Sequence, residues 1–454
     1  MHSSDIIKST IRYIEQNLKT TITAEELAEI AGYSVWHFHR LFAGEVGVSL
    51  ASYISKRRLD SALGEIATGR RAVDVAFEYG YDTYAGFYKA FVREYKKSPK
   101  QYLSKKEVST MFTDNELREI LSHWDTPQDL PILPVSIMDG AAISDNVWAI
   151  GEEYVLKTEN VEYVKQNNKL VKALARQNFT AAVPIPTKSG ADYLTYKARA
   201  FGKNSSAREA PFILMHGLKG TPLPGEERFG SRRQEYGVKY GIGIGRLHSV
   251  LAEIEGEIQP YEEDLFQRVL EWALPESKKQ NIQWSMGLPE SFFEDYLRQS
   301  EFLFPKLPRQ LIHRDPNPSN ILFHGGELSS FVDFDISRRN VRLWDPCYCA
   351  TGLLGEWMAL GGKPDGWFDI LASIMEGYNQ VQPLTSEERQ AVYYVICAIQ
   401  MIFMAYLEPI VELKEMAKTN REMTMYIVGN EEKIKGLFQL DVNTGPSDLK
   451  GASR

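Results

Sequence analysis

The sequence has little cysteine: Cys347, Cys349 and Cys397 are the only three in 454 residues. An odd, sparse set builds no disulfide framework and suits a reducing compartment. No second Cys/His pair stands beside Cys347 and Cys349, so a zinc site is not expected, and all three read as small buried hydrophobes. Long apolar runs are missing too. The most apolar, VYYVICAIQMIF (392–403), is short for a membrane span and follows a charged helix start, TSEER. It reads as a buried helix. The opening MHSSDIIKSTIRYIEQ is amphipathic and charged throughout, unlike a signal peptide. No low-complexity tract occurs. These absences argue against a secreted or membrane protein and for a cytoplasmic one.

What is present is ordinary for a globular chain: 43% hydrophobic and 25% charged residues. The length suits two or three domains. Charge is uneven. Residues 1–106 hold 16 Lys/Arg against 12 Asp/Glu, a balance of +4, and the remainder holds 36 against 48, a balance of −12. A basic head on an acidic body fits a nucleic-acid contact confined to the first domain.

The head reads as helices in a repeated arrangement. Apolar residues recur at helical spacing over 4–18 (Ile7, Ile11, Ile14, Leu18). Thr23, with Glu26 three residues on, predicts a capping box for AEELAEIA. Gly32 ends that helix and Ser34 caps VWHFHRLFA, giving helix, turn, helix. A long helix over about 49–67 follows. The unit then recurs: AVDVAFEYG, ended by Gly80, and TYAGFYKAFVREY, for which Asp82 is the candidate cap. A recognition helix presents polar or aromatic side chains to base edges while its other face packs. In the first unit Phe38, Leu41 and Phe42 make the apolar face, and Trp36, His39 and Arg40 lie opposite. In the second, Phe87 and Phe91 are core, and Tyr84, Ala85 and Lys89 face outward. The expected partner is double-stranded DNA, read from one face in major-groove segments about one turn apart, roughly 34 Å.

On these residues, and on IAGYSVWHFHRLFAGEVGVSLASYISKRRL and VAFEYGYDTYAGFYKAFVREYKKSPKQY, the first 105 residues resemble the AraC/XylS regulators, most of all their MarA/Rob-like branch. The resemblance implies base contacts by Trp36, His39, Arg40, Tyr84, Ala85 and Lys89. Gly86 and Lys89 depart from the usual second recognition helix.

From about 130 the pattern changes. Pro127, Pro131 and Pro134 break helices, VWAIGEEYVLK (147–157) reads as two strands and a turn, and a helix follows near 161–176. After Gly245 the periodicity is mostly helical. Strand-rich first, helical after, this is an α+β two-lobed architecture. Within it lies LIHRDPNPSNILF (311–323). Its H-x-D-x4-N spacing is that of a phosphoryl-transfer loop: Asp315 as base, Asn320 on Mg²⁺, and His313 as a brace. Asp333 in FVDFDIS is the expected second metal ligand, and Lys157 in YVLK the phosphate contact. Oxygen ligands of this kind suit Mg²⁺.

With VPIP (183–186), FILMHGLKG (212–220), IGRLHSVL (244–251) and WDP (344–346), residues 130–415 resemble the aminoglycoside phosphotransferase and choline/homoserine kinase family. The resemblance implies ATP or GTP as cofactor, held with Mg²⁺. Met215 and His216 then lie in the hinge that pairs with the base, and Asp345 orders the loop. Four features depart from the family: Arg314 in place of Gly, Asn167 and Asn168 where a Glu is expected, Asp335 after the metal-binding pair, and a single Gly near DGAAISDN. The acceptor segment, about 255–300, is acidic (YEEDLF, PESFFEDY). It reads either as lining for a cationic amine or as a solvated helix face.

The expected chain is therefore an all-α double helix-turn-helix domain (1–106), a linker (107–129), a two-lobed kinase-like domain (130–440) and a polar tail (441–454). Its expected role is a transcription regulator whose second domain binds nucleotide and a small hydroxylated or amino ligand. The alternative is a small-molecule kinase carrying an autoregulatory DNA-binding domain.

Overall fold

The computed structural model describes residues 3–20, 22–46, 48–67, 72–81, 83–95, 112, 114–127, 129–137, 142–159, 163–198, 208–360, 364–410 and 413–438. The chain divides into two units, Met1–Val164 with Ala182–Gly217, and Lys165–Ala181 with Leu218–Arg454.

The first unit begins with helices α1 (Ser3–Gln16), α2 (Ala24–Ala31), α3 (Val35–Val46), α4 (Leu50–Ala67), α5 (Ala72–Glu78) and α6 (Tyr84–Tyr95). Their apolar stripes meet in one core containing Ile7, Ile14, Leu27, Phe38, Phe42, Leu59, Phe87 and Phe91. Thr23 Oγ1 accepts from Glu26 N–H, and Gly32 closes α2 in the left-handed region at φ 72°. The predicted capping box is half formed, because the Glu26 carboxylate takes the Tyr13 hydroxyl. At α6 the capping oxygen is Thr83 Oγ1, 3.0 Å from Gly86 N. The expected cap, Asp82, lies outside the described residues. The long helix α4 is pinned by a half-buried pair. Arg57 reaches both Glu15 oxygens at 2.7 and 2.8 Å, and Tyr53 donates to the same carboxylate at 3.0 Å.

The same unit holds a five-stranded antiparallel sheet in the order β1-β2-β3-β5-β4: β1 (Ile132–Ile137), β2 (Ala142–Ile150), β3 (Tyr154–Thr158), β4 (Leu194–Ala198) and β5 (Arg208–His216). Its buried residues Trp148, Leu156, Phe212 and Leu214 pack with Leu117, Ile120, Leu121 and Trp124, on and just after helix α7 (Asp114–Leu121). Trp124 Nε1 donates to Ile185 O at 2.8 Å. This differs from the expected linker. Residues 114–124 carry an apolar i, i+3, i+4, i+7 stripe, and burying it here removes it from water.

In the second unit, helix α8 (Val164–Arg176) buries Leu170 and Leu174 in a large helical core. Through that core run α9 (Arg233–Ile258), the strand pairs β6 (Arg309–Ile312) with β9 (Arg338–Val341) and β7 (Ile321–His324) with β8 (Glu327–Phe331), and helices α10 (Trp344–Ala359), α11 (Trp367–Val381) and α12 (Ser386–Leu407). Helices α9 and α11 approach closely. A Cβ on Gly241 would stand 2.0 Å from Ile374 O, and one on Gly377 would stand 2.1 Å from Val238 O. Helix α12 is the apolar run of the sequence. It is long and apolar enough to cross a membrane by composition, yet 83% of its most apolar window is buried within the protein. Its start has the full capping box that its sequence TSEER permits, Thr385 with Glu388.

Candidate active site and nucleic-acid interface

In the first recognition helix, α3, Phe38 and Phe42 are buried while Trp36 is 66% exposed. His39 and Arg40 are exposed as well. The Arg40 guanidinium lies 4.9 Å from the centre of the Trp36 ring, so the two share one outer face. His39 also lines a pocket of about 320 Å³ with Leu50, Ile54, Arg58 and Tyr81. In α6, Lys89 is exposed. The side chains of Tyr84 and Ala85 lie outside the described ones.

Lys157 stands on β3 opposite Ile213 of β5, with Met215 opposite Val155 and His216 opposite Tyr154. Ile185 N donates to Leu214 O at 2.7 Å, which secures the end of β5. These three candidate residues belong to the first unit.

Asp315, Asn320 and Asp333 belong to the second. Strand β6 delivers His313, Arg314 and Asp315 in a turn where Arg314 takes φ 76°, a left-handed conformation costly for a side chain of this size. Asp345, wholly buried at the start of α10, holds that turn. It accepts from His313 N–H at 2.9 Å and Arg314 N–H at 3.0 Å. A third contact comes from α9, where His248 Nε2 lies 2.8 Å from Asp345. His248 Nδ1 in turn meets the Tyr378 hydroxyl of α11 at 2.8 Å. Three long elements thus converge on one carboxylate beneath the loop.

His313 acts as the expected brace. Its Nε2 donates to Val332 O at 3.0 Å, and its Nδ1 accepts from Asp315 N–H at 3.3 Å. Burial holds its pKa below the usual histidine value, which favours this neutral tautomer. The brace joins the Asp315 turn to the strand end just before Asp333. Asp333 itself has φ 68° and an exposed side chain.

Asn320 Nδ2 donates to Asp315 O at 3.1 Å and Asp315 Oδ2 at 3.2 Å. With its amide nitrogen so committed, its Oδ1 is the atom left to meet a cation. An amide oxygen and a carboxylate are the kind of donors that a hard ion such as Mg²⁺ takes, its shell completed by water and phosphate. No group of three or more His, Cys, Asp or Glu side chains fit to hold a metal occurs among the described residues. Burial, first of all, pushes the Asp315 carboxyl up to about 6; a Tyr348 hydroxyl contact pulls it down, and the charge of Asp333 raises it.

Two of the departing residues meet each other. Asn167 of α8 donates to Asp335 at 3.0 Å, and the neighbouring Gln166 donates to Ser337 O at 2.9 Å. Helix α8 is thereby tied to the segment that follows Asp333. Sequence reasoning missed Glu263, Tyr348 and Tyr378. Only Glu263 left a local signal, the YEED run, and its partners are distant in sequence.

Comparison with known proteins agrees with both halves. The helix-turn-helix domain family matches residues 27–105, and the phosphotransferase enzyme family matches residues 136–366. The uncharacterized HTH-type transcriptional regulator YbfP of Bacillus subtilis (strain 168) is 35% identical over 119 residues, 24% of this chain and 40% of YbfP. The transposon Tn10 TetD protein of Escherichia coli is 36% identical over 98 residues, 21% of this chain and 71% of TetD. The chain thus spans well under half of the first relative. Among solved structures, the amicoumacin kinase hAmiN, in complex with AMP-PNP and Ca²⁺, aligns at a TM-score of 0.48 and 14% identity, over 72% of this chain and 96% of that one. The chain belongs to the phosphotransferase enzyme family and carries an AraC-type helix-turn-helix domain ahead of its phosphotransferase domain.

Proposed function

We propose that the protein is a cytoplasmic, sequence-specific DNA-binding transcription regulator whose phosphotransferase domain binds Mg²⁺ with ATP or GTP and a small hydroxylated or amino ligand. Trp36, His39 and Arg40, with Tyr84, Ala85 and Lys89, are the proposed base-contacting residues. Exposed Arg40 over exposed Trp36 supports direct readout, since a guanidinium pairs with guanine O6 and N7.

The observation that carries the second half is the hydrogen bond of Asn320 to Asp315, on a turn anchored by buried Asp345. Asp315 is the proposed base. Raised towards neutrality by burial, its carboxylate takes the proton from the acceptor hydroxyl as that oxygen bonds to the terminal phosphorus and the nucleoside diphosphate leaves. Asn320 and Asp333 hold the cation, Lys157 contacts the phosphates, and Met215 and His216 flank the nucleotide base. Bound Mg²⁺ supplies charge neutralisation on the phosphates. A ligand that favours one state of such a domain shifts its population, which is all a sensor requires.

A second reading, a small-molecule kinase that regulates its own gene, is favoured by the same intact Asp315–Asn320 pair, which sensing alone does not require. Asp315→Asn separates the two. A promoter-reporter assay and a phosphate-release assay are run on the same full-length variant. A regulator keeps its ligand response without turnover. Loss of the cellular effect with turnover, while DNA binding persists, identifies the kinase.

A further inference from the structure

The acidic run Tyr261–Glu262–Glu263–Asp264 lies in an extended stretch rather than on a helix. Its backbone is stitched to the free side of β9: Arg339 N–H donates to Tyr261 O at 2.8 Å, and Glu263 N–H donates to Arg339 O at 3.0 Å. Arginines take up its carboxylates. Arg309 reaches Glu262 at 3.1 Å and Asp264 at 3.3 Å, and Arg339 reaches Glu262 at 3.1 Å. Glu263 points inward and is only 6% exposed.

We propose that Glu263 is a positioning residue for the catalytic turn, a carboxylate built into the fold that holds Arg314 and, through it, Asp315. The proposal rests on the phosphotransfer reading above. Arg314 Nε donates to Glu263 Oε2 at 2.7 Å and its Nη2 to Oε1 at 3.3 Å. The guanidinium is buried and lies 3.7 Å from the centre of the Trp344 ring, whose Nε1 donates to Arg314 O at 3.0 Å. The residue that takes the unfavourable left-handed backbone is thus gripped at its side chain, its N–H and its C=O.

Glu263 grips the other segment as well. Asn340 Nδ2 donates to its Oε2 at 2.7 Å, and Arg338 approaches its Oε1 at 3.6 Å. Both follow the Asp333 segment. One buried carboxylate therefore ties the strand entering the Asp315 turn to the strand leaving the Asp333 turn. A planar, bidentate pair suits this task because it fixes direction as well as distance. Arg314 is committed inward, so no outside anion is needed to order the turn.

The test uses the full-length chain with Glu263→Gln and Glu263→Asp. Hydrogen exchange is followed at the amides of residues 309–323. In Glu263→Gln we expect exchange at His313, Arg314 and Asp315 to rise about tenfold or more, with the α12 amides unchanged, as local opening requires. Glu263→Asp, which keeps the charge, should fall between. Any Mg²⁺-ATP hydrolysis should lose kcat about tenfold or more, with KM for ATP within about twofold, since Asp315 serves the acceptor. In an Arg314→Met background, Glu263→Gln should add no further exchange at residues 313–315, although it still releases Asn340 and Arg338.

Equal acceleration across the whole second unit, failure of both variants to fold, or no change at residues 313–315 would overturn the proposal and leave Glu263 a purely structural role. Exchange needs no nucleotide. If the wild type binds none at millimolar concentration, the phosphotransfer reading fails, and the exchange data still decide what Glu263 does.

Discussion

Consider Asp345→Asn, which keeps the shape of the side chain and removes its charge. Asp345 is wholly buried and faces three donors: His313 N–H at 2.9 Å, Arg314 N–H at 3.0 Å and His248 Nε2 at 2.8 Å. A carboxamide has one oxygen for these donors and turns an NH2 group towards at least one of them. Leaving that buried donor unsatisfied costs about 1–3 kcal/mol. The remaining contacts lose the charge that made them strong, about 1 kcal/mol each. The sum is about 3–5 kcal/mol, a large part of a stability that is usually about 5–15 kcal/mol. In a urea titration of the full chain, a slope of about 3 kcal/mol/M turns this into a midpoint roughly 1–1.7 M lower for the second unit's transition. The helix-turn-helix domain should unfold at its usual midpoint. A shift below about 0.3 M, or an equal shift of both transitions, would show that Asp345 is not the hub under the loop.

Other expectations can be checked separately. Arg40→Ala should cost about 1–3 kcal/mol in binding to the target site and relax preference at one base position, read by footprinting and competition; equal weakening on all sequences would refute base reading by Arg40. Asp333→Ala should abolish Mg²⁺-dependent nucleotide binding in calorimetry, and unchanged affinity would remove Asp333 from the metal site. With the Asp315 carboxyl pushed up to about 6, its basic form grows as pH rises, so kcat/KM should climb through about pH 6 and level above it; a profile flat from pH 5 to 8 would exclude Asp315 as the base. Gly241→Ala should lower stability by about 1–3 kcal/mol or more through overpacking against Ile374, measured by thermal melting of the second unit.

The sequence was most legible where its signals were local. The two recognition helices, their buried Phe38 and Phe87 faces and the H-x-D-x4-N turn each lie within a dozen residues. The buried fate of the apolar run near 392–403 was legible for the same reason. What escaped depended on distant partners. Asp345 was legible through the WDP motif, but its partner His248 lies 97 residues away and Glu263 lies 51 from Arg314, so neither partner leaves a pattern within any window. The YEED run was ambiguous because isolated carboxylates look alike until their arginines are known. The stripe Leu117, Ile120, Leu121 and Trp124 was readable, but the charged stretch before it drew the whole region into a linker. Asn167 and Asp335 each looked like a loss against the family pattern; the structure joins them by a hydrogen bond.

The crossing of α9 and α11 has a consequence far from where it occurs. Gly241 and Gly377 allow the two backbones to touch, so the helices have a single stacking height and no room to slide. His248 rides on the first helix, two turns beyond Gly241, and Tyr378 follows Gly377 on the second. Their mutual contact, and the level at which His248 meets Asp345, are therefore set by a bare backbone junction that touches no ligand. The crossing works as the datum surface from which the height of the Asp315 turn is measured. A single methyl group added there should shift the turn as well as lower stability, so variation at these glycines bears on the Asp315 turn as well as on the packing of the core.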